Sequence, residues 1–438
     1  EKLSRFGIKI MGTSFEALDL AEDRGRFSKM LEVNNIPFPQ YGIVQNAEQA
    51  LELSDELGFP LLVRPSYVLG GQKMKIVINK EELEYHVIDI INEMGNNQIL
   101  LDHFLGGAIE AEADAICDGE NVYIIGIMQH IEPAGIHSGD SYALLPPYNL
   151  GDFVMTQIKD ITHKIAIELR TVGLINIQFA IAGDVLYVLE ANPRASRTVP
   201  FVSKATGIPL AKAAALISLG ASIADLRSEG LLPESGDGIA KGISVKEAVL
   251  PWNRFRRTDG RGVDAVLGPE MRSTGEVMGI AQTFGESYAK SQISAFGSLP
   301  KSGTVFISLA DKDKSSGIAP ARAFAELGFK LIATSGTADF LANNGILAHK
   351  VRKNSEGSGP MGEKTIVELL NTGGVNLVIN TPVGRGTRAD GWAIRTAAVQ
   401  RSIPCITTTA GFSAAVEGIK ALQRGELAVA PIQEWLKR

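Results

Sequence analysis

Three side chains that could ligate a metal ion fall close together in one predicted β-hairpin. Residues 175–192 read as two buried strands joined by a short loop, and the second strand ends in Glu190 and Asn192. Because alternate residues of a strand share a face, Glu190 and Asn192 point the same way. Folding the hairpin also brings Gln178 close to Glu190 on that face. The pattern predicts a cluster of one carboxylate and two amide side chains.

Two arginines, Arg194 and Arg197, follow this cluster directly. Carboxylate and amide oxygens suit Mg²⁺, which binds through few protein groups together with substrate phosphates. Guanidinium groups suit the bidentate capture of phosphate or carboxylate. Together these groups are typical of phosphoryl transfer. On this segment alone, surface residues in an ordinary ion pair explain the pattern equally well.

The composition bounds the class of protein. At 438 residues, with 45% apolar and 21% charged residues, the chain is expected to form two or three globular domains. A net charge of −6 argues against a general nucleic-acid or anionic-membrane binder. Two cysteines in apolar segments, Cys117 and Cys405, argue against a disulfide scaffold and for a reducing, cytoplasmic setting.

The sequence has no apolar run long enough for a transmembrane helix, and we expect no signal peptide at its start. It begins at Glu1 in the middle of a pattern, so we expect a fragment of a longer protein.

The pattern of helices and strands changes near residue 300. Before it, strands and helices mix without regular alternation, and paired strands such as 110–118 and 121–128 indicate an antiparallel α+β domain. After a linker at 297–303, strands and helices alternate, which predicts a doubly wound parallel sheet. The predicted strands of this part are 304–309, 329–333, 347–351, 375–380 and 403–407, and its helices are 318–327, 337–343, 363–370, 390–401 and 412–423.

A glycine turn at 66–74 could let backbone amides approach a phosphate at Gly70 and Gly71. An ordinary turn explains the same residues, and the turn is not a Walker loop because no Gly-Lys-Ser/Thr follows. Arg64, at the end of the preceding strand, could pair with a nucleotide phosphate or form a surface ion pair.

Other polar residues follow strand ends. Residues 101–105 contain an Asp-His pair and could form a hinge against which adenine stacks, while Glu110 could accept from ribose hydroxyls. The loop at 129–141 is dense in polar groups, as ligand-binding loops often are. We set zinc aside, because no Cys/His set has structural-zinc spacing.

In the second part, Thr334 and Thr337 flank the point where a strand ends and a helix begins. Backbone amides and hydroxyls at a helix N-terminus form an anion site. Lys314 and Lys353 follow other strand ends on the same side of such a sheet, which favours phosphate or carboxylate binding over simple N-capping. No base, metal cluster or nucleophile is evident, so we interpret this part as a sensor.

Taken together, these segments resemble the ATP-grasp family, and more closely the carboxy-terminal half of carbamoyl-phosphate synthetase large subunits. The segments that carry the resemblance are residues 63–71, 101–105, 135–141, 190–194, 198–207 and 267–279. It spans nearly the whole chain. It implies an α+β ATP-grasp domain followed by an α/β methylglyoxal-synthase-like domain with the doubly wound parallel sheet.

The resemblance also implies roles for individual residues. ATP would be bound by Arg64, His103, Leu105, Glu110, Gly135, Ile136, His137, Ser138, Gln178 and Glu190. Two Mg²⁺ or Mn²⁺ ions would be held by Gln178, Glu190 and Asn192. The catalytic arginines that orient carbamate and the transferred phosphoryl group would be Arg194 and Arg197. A K⁺ ion would lie near Glu110, His130, Glu132 and Ser141. A nucleotide effector such as UMP or IMP would be bound by Lys314, Thr334, Thr337, Lys353 and Asn380.

The implied reaction is the phosphorylation of carbamate by ATP, the last step of carbamoyl phosphate synthesis for arginine and pyrimidine biosynthesis. The implied domains are the tail of a preceding domain at 1–24, the ATP-grasp domain at 25–228, the remainder of the synthetase unit with a linker at 229–300, and the methylglyoxal-synthase-like domain at 301–438.

The implied partners are a glutaminase small subunit and the amino-terminal half of the large chain, in an oligomer, without nucleic acid or membrane. Two other functions stay open: a biotin-carboxylase-like enzyme that forms carboxyphosphate, and a non-catalytic regulatory or assembly half.

Overall fold

The structure, a computed structural model, divides into two compact units. Unit 1 comprises residues 1–244, 269–271 and 429–438, and unit 2 comprises residues 245–268 and 272–428. The structure describes residues 2–8, 10–65, 68, 70–95, 98–252, 263–382 and 389–437. Three residues of the glycine-turn motif, Ser66, Tyr67 and Leu69, lie outside the described residues.

Helices and strands are numbered in chain order. The helices are α1 (Lys2–Arg5), α2 (Phe15–Glu22), α3 (Arg24–Val33), α4 (Ala47–Leu57), α5 (Lys80–Met94), α6 (Asp152–Glu168), α7 (Val199–Thr206), α8 (Leu210–Ser218), α9 (Ile223–Ser228), α10 (Phe284–Ala295), α11 (Ile318–Glu326), α12 (Ser335–Asn343), α13 (Ile366–Asn371), α14 (Ala389–Gln400), α15 (Thr409–Arg424) and α16 (Ile432–Trp435). The strands are β1 (Tyr41–Val44), β2 (Leu61–Pro65), β3 (Lys75–Val77), β4 (Ile99–His103), β5 (Ile109–Asp118), β6 (Val122–Pro133), β7 (Ala143–Leu145), β8 (Val172–Ala182), β9 (Val185–Asn192), β10 (Ile243–Val249), β11 (Gly275–Ala281), β12 (Thr304–Ser308), β13 (Lys330–Ala333), β14 (His349–Lys350), β15 (Leu377–Asn380) and β16 (Cys405–Ile406).

The smaller sheet of unit 1 has the antiparallel strand order β1-β4-β2-β3. Its helices are bounded by local signals: the side chains of Asn46 and Asn79 cap α4 and α5, and Gly58 and Gly95 end them with positive φ. Asparagine satisfies a free amide at a helix start, and glycine adopts the positive φ at a helix end without strain. Apolar residues of both helices and of β2 and β4 share one core.

A longer antiparallel sheet in unit 1 carries the candidate site. Its strands pair in the order β7-β6-β5-β8-β9. One face packs against α6, where Ala113, Ile177 and Val188 share a core with Ile158 and Ile165 of the helix. The other face carries the polar side chains of β5, β8 and β9. The antiparallel α+β character expected for this part is confirmed.

Unit 2 contains a five-stranded sheet of order β14-β13-β12-β15-β16, in which the pairs are parallel. Its strands are apolar over most of their length, as parallel strands are when helices cover both faces. Phe306 and Val378 of the sheet share a core with Ile366 of α13 and Ile394 of α14. The predicted doubly wound parallel sheet is confirmed.

Of the helices that the structure describes, none combines the length and the apolar character needed to cross a membrane.

Candidate functional site

The predicted hairpin is present, and its polar residues meet. β8 and β9 pair with Gln178 opposite Glu190 and Asn176 opposite Asn192. Directly paired residues have Cβ atoms about 4.5–5.5 Å apart, so Gln178 and Glu190 are neighbours. Asn192 Nδ2 donates to Glu190 Oε1 over 2.9 Å, which confirms that these two residues share a face.

A β-bulge decides which face that is. The pairing register shifts by one residue at Leu189 of β9. Before the shift Val188 belongs to the apolar core, and after it Ala191 does. Strict alternation would have placed Glu190 on the same side as Val188, against the core. The bulge therefore turns Glu190 away from the core and onto the polar face.

The loop after β6 joins the same polar face. Gln178 Nε2 donates to Ser138 Oγ over 2.9 Å, and the Gly135 amide donates to Glu110 Oε1 over 3.3 Å. His137 Nδ1 accepts from an amide of its own loop over 3.0 Å. The structure thus brings several of the expected nucleotide-binding residues together with the expected metal ligands.

Arg194 and Arg197 follow β9 with exposed side chains. Arg194 Nη2 donates to Asn192 Oδ1 over 3.1 Å, and its Nη1 donates to the Ala195 carbonyl over 3.3 Å. Arg197 contacts the sulfur of Met271. An exposed guanidinium beside Asn192 can reach an anion held at this edge of the sheet.

Two buried acids of β5 also lie on this face, and neither is among the predicted site residues. Glu112 pairs with Gln178, and Asp114 pairs with Asn176, across β5 and β8. Both acids are 1% exposed. Asn176 Nδ2 donates to a carboxylate oxygen of each over 2.9 Å. The alternation Glu-Ala-Glu-Ala-Asp at 110–114 is the signal that could have found them, because period 2 places all its carboxylates on one face.

His130 of β6 lies between two carboxylates. Its Nδ1 is 3.1 Å from Glu110 Oε2, and its Nε2 is 3.0 Å from Glu112 Oε1. Burial is the largest single influence and lowers the pKa of His130, but the two carboxylates together raise it to about 9. The imidazole is therefore protonated at neutral pH and offsets neighbouring negative charge.

Arg64 lies on the smaller sheet and is linked to β9 through two buried groups. Arg64 Nε is 3.0 Å from Asp102 Oδ2, and Asp102 Oδ1 accepts from Arg24 Nη2 over 3.0 Å. Arg24 Nη1 also donates to the Leu189 carbonyl, at the bulge, over 2.8 Å. Arg24 and Asp102 are not among the predicted site residues, because the local sequence around each does not show that the two side chains meet.

Three further residues were expected to bind the nucleotide: His103, Leu105 and Ile136. His103 Nδ1 is 3.0 Å from the Leu57 carbonyl at the end of α4, so this ring is held by that helix. Leu105 and Ile136 are half-buried in the loops after β4 and β6.

The glycine turn contacts the short segment at 269–271. The Met271 amide donates to the Gly70 carbonyl over 3.0 Å. Gly71 approaches the segment so closely that an added Cβ would lie 2.1 Å from the Pro269 carbonyl oxygen. Both glycines have positive φ, which the turn requires.

Lys73 ends the glycine turn and ties it to α5. Its ammonium group pairs with Asp89 over 3.0 Å and with Glu93 over 2.8 Å. Its carbonyl accepts from Nε2 of the buried His86 over 2.8 Å. The turn is thus held from α5 on one side and from residues 269–271 on the other.

The expected effector residues of unit 2 follow the carboxyl ends of its parallel strands. Ligands of open parallel sheets bind at this edge. Thr337 Oγ1 accepts from the Leu309 amide over 3.1 Å, and Thr334 Oγ1 donates to Ser308 Oγ over 3.3 Å. These bonds hold the ends of β12 and β13 together.

The other three effector residues differ in their contacts. Lys314 Nζ lies 2.7 Å from Asp311. The buried Asn380 accepts through Oδ1 from Arg395 over 2.6 Å. Lys353 follows β14, and its backbone amide donates to Glu356 over 3.1 Å.

The donor set on β8 and β9 suits a hard divalent cation. Glu190 supplies a carboxylate, and Gln178 and Asn192 supply amide oxygens, a small set of the kind that Mg²⁺ combines with substrate phosphates. Within the part of the chain that the structure describes, no group of three or more His, Cys, Asp or Glu side chains is arranged to hold a metal ion.

Two family models match this chain. Residues 23–226 match the carbamoyl-phosphate synthase L chain, ATP binding domain, and residues 317–407 match the MGS-like domain. The carbamoyl phosphate synthase large chain of Streptomyces coelicolor is 56% identical over 432 residues, which cover 98% of this chain and 39% of that protein. The large chain of Mycobacterium tuberculosis is 53% identical over 440 residues, which cover 99% of this chain and 39% of that protein. This chain therefore spans about two-fifths of the length of these relatives.

Solved structures with a similar fold include biotin carboxylases. The complex of biotin carboxylase with β,γ-ATP from Campylobacter jejuni has a TM-score of 0.53 and 17% identity, covering 67% of this chain and 70% of that one. The biotin carboxylase domain of 2-oxoglutarate carboxylase from Hydrogenobacter thermophilus, solved with MgADP and bicarbonate, has a TM-score of 0.53 and 18% identity, covering 67% and 69%. At these identities the likeness shows the ATP-grasp fold alone. Residues 23–226 therefore carry the ATP-binding domain of the carbamoyl-phosphate synthase L chain and residues 317–407 an MGS-like domain, and nearly the whole chain is similar to carbamoyl phosphate synthase large chains.

Proposed function

We propose that this chain catalyses the phosphorylation of carbamate by ATP, giving ADP and carbamoyl phosphate. The observation that carries the proposal is the contiguous set of Gln178, Glu190, Asn192 and Arg194 on one polar face of the longer sheet. A structural role does not explain this set, because the bulge at Leu189 turns Glu190 out of the core rather than into it. The relatives' name supports the choice of carbamate as acceptor.

The chain's own residues would act by binding and orientation. Gln178, Glu190 and Asn192 would hold Mg²⁺ or Mn²⁺, which offsets negative charge on the phosphates during phosphoryl transfer. Arg194, fixed by its bond to Asn192, would orient the anionic acceptor toward the γ-phosphate, together with Arg197. Carbamate attacks phosphorus with its own oxygen, so no covalent intermediate with the protein is needed.

The glycine turn would exclude water from the bound nucleotide. Contacts with residues 269–271 hold Gly70 and Gly71, and a contact with α5 holds Lys73. Exclusion of water protects ATP and carbamate from hydrolysis.

The test is the reverse partial reaction. The chain is mixed with MgADP and carbamoyl phosphate, and ATP formation is followed with a coupled luminescence assay. We expect ATP formation by the native chain and a loss of roughly 100-fold in Glu190→Gln, in line with the loss of one preorganised electrostatic group. Glu120→Gln, an exposed change in the turn between β5 and β6, is the matched control and should keep the native rate.

Other outcomes would assign another function. ADP release that depends on bicarbonate and is stimulated by biotin, without ATP formation from carbamoyl phosphate, would indicate biotin-carboxylase-like chemistry. MgADP binding without either reaction would indicate a regulatory or assembly part. An undiminished rate in Glu190→Gln would remove Glu190 from the metal site.

The other ligands and partners are parts of the same proposal. K⁺ would bind near Glu110, His130, Glu132 and Ser141, of which the last two are joined by a hydrogen bond of 3.0 Å. A nucleotide effector of the UMP or IMP type would bind at the strand ends of unit 2. A glutaminase subunit, the rest of a longer large chain and a cytoplasmic oligomer would complete the enzyme.

A further inference from the structure

Asp114 lies beneath the loop that bears the two arginines. It is 1% exposed on the polar face of β5, opposite Asn176 of β8. Its Oδ1 accepts from Ser196 Oγ over 3.1 Å, and its Oδ2 accepts from Thr198 Oγ1 over 2.6 Å. Asn176 Nδ2 donates to Oδ1 over 2.9 Å. Both oxygens of this carboxylate are therefore engaged, and each receives a bond from the loop.

The loop alternates between inward hydroxyls and outward guanidinium groups. Ser196 and Thr198 bond to the buried carboxylate, and their hydroxyls are 2.7 Å from each other. Arg194 and Arg197, on either side of Ser196, are exposed. Fixing the two hydroxyls therefore fixes the backbone from which both arginines project.

A carboxylate is the group that this position needs. Burial and the neighbouring Glu112 raise the pKa of Asp114 to about 7, whereas the hydroxyl and amide donors that converge on it from the loop and from β8 favour the ionised form. The ionised form accepts at both oxygens. Asparagine has nearly the same shape but offers one acceptor oxygen and an amide that donates. It could keep only part of the set of bonds to Ser196 and Thr198.

We propose that Asp114 is a positioning residue that holds the loop of residues 194–198 so that Arg194 and Arg197 meet the anionic acceptor. This inference rests on the proposed carbamate phosphorylation for its kinetic effect, but the anchoring of the loop is testable without it. Asp114 itself touches no reacting atom. It acts through the hydroxyls of Ser196 and Thr198.

The kinetic test compares Asp114→Asn with the loop double variant Ser196→Ala/Thr198→Val in the ATP-forming assay. We expect each to lower kcat at least tenfold while the KM for MgADP stays within twofold, since a loop shift moves the arginines and not the nucleotide pocket. The triple variant, which combines Asp114→Asn with the loop double variant, should have a kcat less than threefold below that of the double variant. The reason is that Asp114→Asn and the loop changes break the same hydrogen bonds. The proposal would be overturned if Asp114→Asn kept the native kcat. It would also be overturned if the fold loss of kcat in the triple variant equalled the product of the two separate losses.

The matched control is Asp118→Asn, four residues along the same strand. Asp118 accepts from backbone amides of Asn121 and Ile223 and has no bond to the arginine loop. It should keep the native kcat and KM. If kcat fell as much in Asp118→Asn as in Asp114→Asn, the loss of either carboxylate from β5 would impair the sheet in general. That result would overturn the specific role of Asp114.

Hydrogen–deuterium exchange measured by mass spectrometry tests the anchor independently of activity. In Asp114→Asn and in the loop double variant, we expect amides at 194–198 to exchange at least tenfold faster, while peptides from β2 and β4 keep their native rates. Unchanged exchange in the loop would overturn the proposal. If the native chain forms no ATP, the proposed function fails, and the exchange experiment still decides whether Asp114 anchors the loop. The double variant leaves the buried strand intact, so it remains informative if Asp114→Asn does not fold.

Discussion

Replacing Gly71 by alanine should loosen the glycine turn more than the same change at Gly70. The two glycines have φ of +66° and +64°, so alanine costs about 1–2 kcal/mol at either position. At Gly70 the nearest atom to an added Cβ is Met271 Cε at 3.4 Å, an ordinary contact with a flexible side chain. At Gly71 it is the Pro269 carbonyl oxygen at 2.1 Å, which no rotamer change relieves.

The extra cost at Gly71 follows from the backbone that must move. Pro269 has to shift by roughly 1 Å to restore normal separation, and the neighbouring bond from the Met271 amide to Gly70 is then weakened. Such a bond contributes about 0.5–1.5 kcal/mol. We therefore expect Gly70→Ala to cost about 1–2 kcal/mol and Gly71→Ala about 1.5–3.5 kcal/mol in closing the turn.

Native-state hydrogen exchange of the Met271 amide measures this difference, since its protection reports the opening of the bond to Gly70. Gly71→Ala should show roughly 2- to 12-fold less protection than Gly70→Ala, at tenfold per 1.4 kcal/mol. Gly95→Ala, at a φ of +72° with no atom near an added Cβ, controls for backbone cost elsewhere in unit 1. Equal protection of Met271 in the two turn variants would refute the steric argument.

Two further predictions concern the charges and the histidine around this site. Asp102→Asn should lower the free energy of unfolding by about 3–5 kcal/mol, because it leaves two partly or fully buried guanidinium groups without their carboxylate. In urea titrations the exposed-pair control Asp55→Asn should cost below about 1 kcal/mol, and similar costs for both would contradict the reasoning. Burial lowers the pKa of His86 below 6.5, so its contribution to stability is complete above pH 6.5 and is lost as the pH falls below that value. His86→Gln keeps a donor for the carbonyl it contacts but does not titrate, so it should flatten the fall of the unfolding free energy between about pH 7 and pH 5, and an unchanged slope would rule out His86 as its source.

Local patterns predicted much of the fold and part of the site. Alternating strands and helices after residue 300 indicated the parallel sheet of unit 2, because each such element is encoded by its own periodicity and end signals. The resemblance named the residues of the β8–β9 hairpin and the loop after β6, and the structure places these in contact. Arg24 and Asp102 escaped prediction because they are 78 positions apart in the chain, and nothing local couples a helix start to a strand end.

The sequence by itself determined that Glu190 and Asn192 share a face, since the alternation of side chains along a strand is a property of the backbone. Only the tertiary structure decided which face, because the bulge at Leu189 depends on how β9 pairs with β8 and not on β9 alone. The same holds for Asp114. Its place beneath the arginine loop arises from contacts spanning more than 80 positions, and these form only when the core on the opposite face of the sheet has fixed the register.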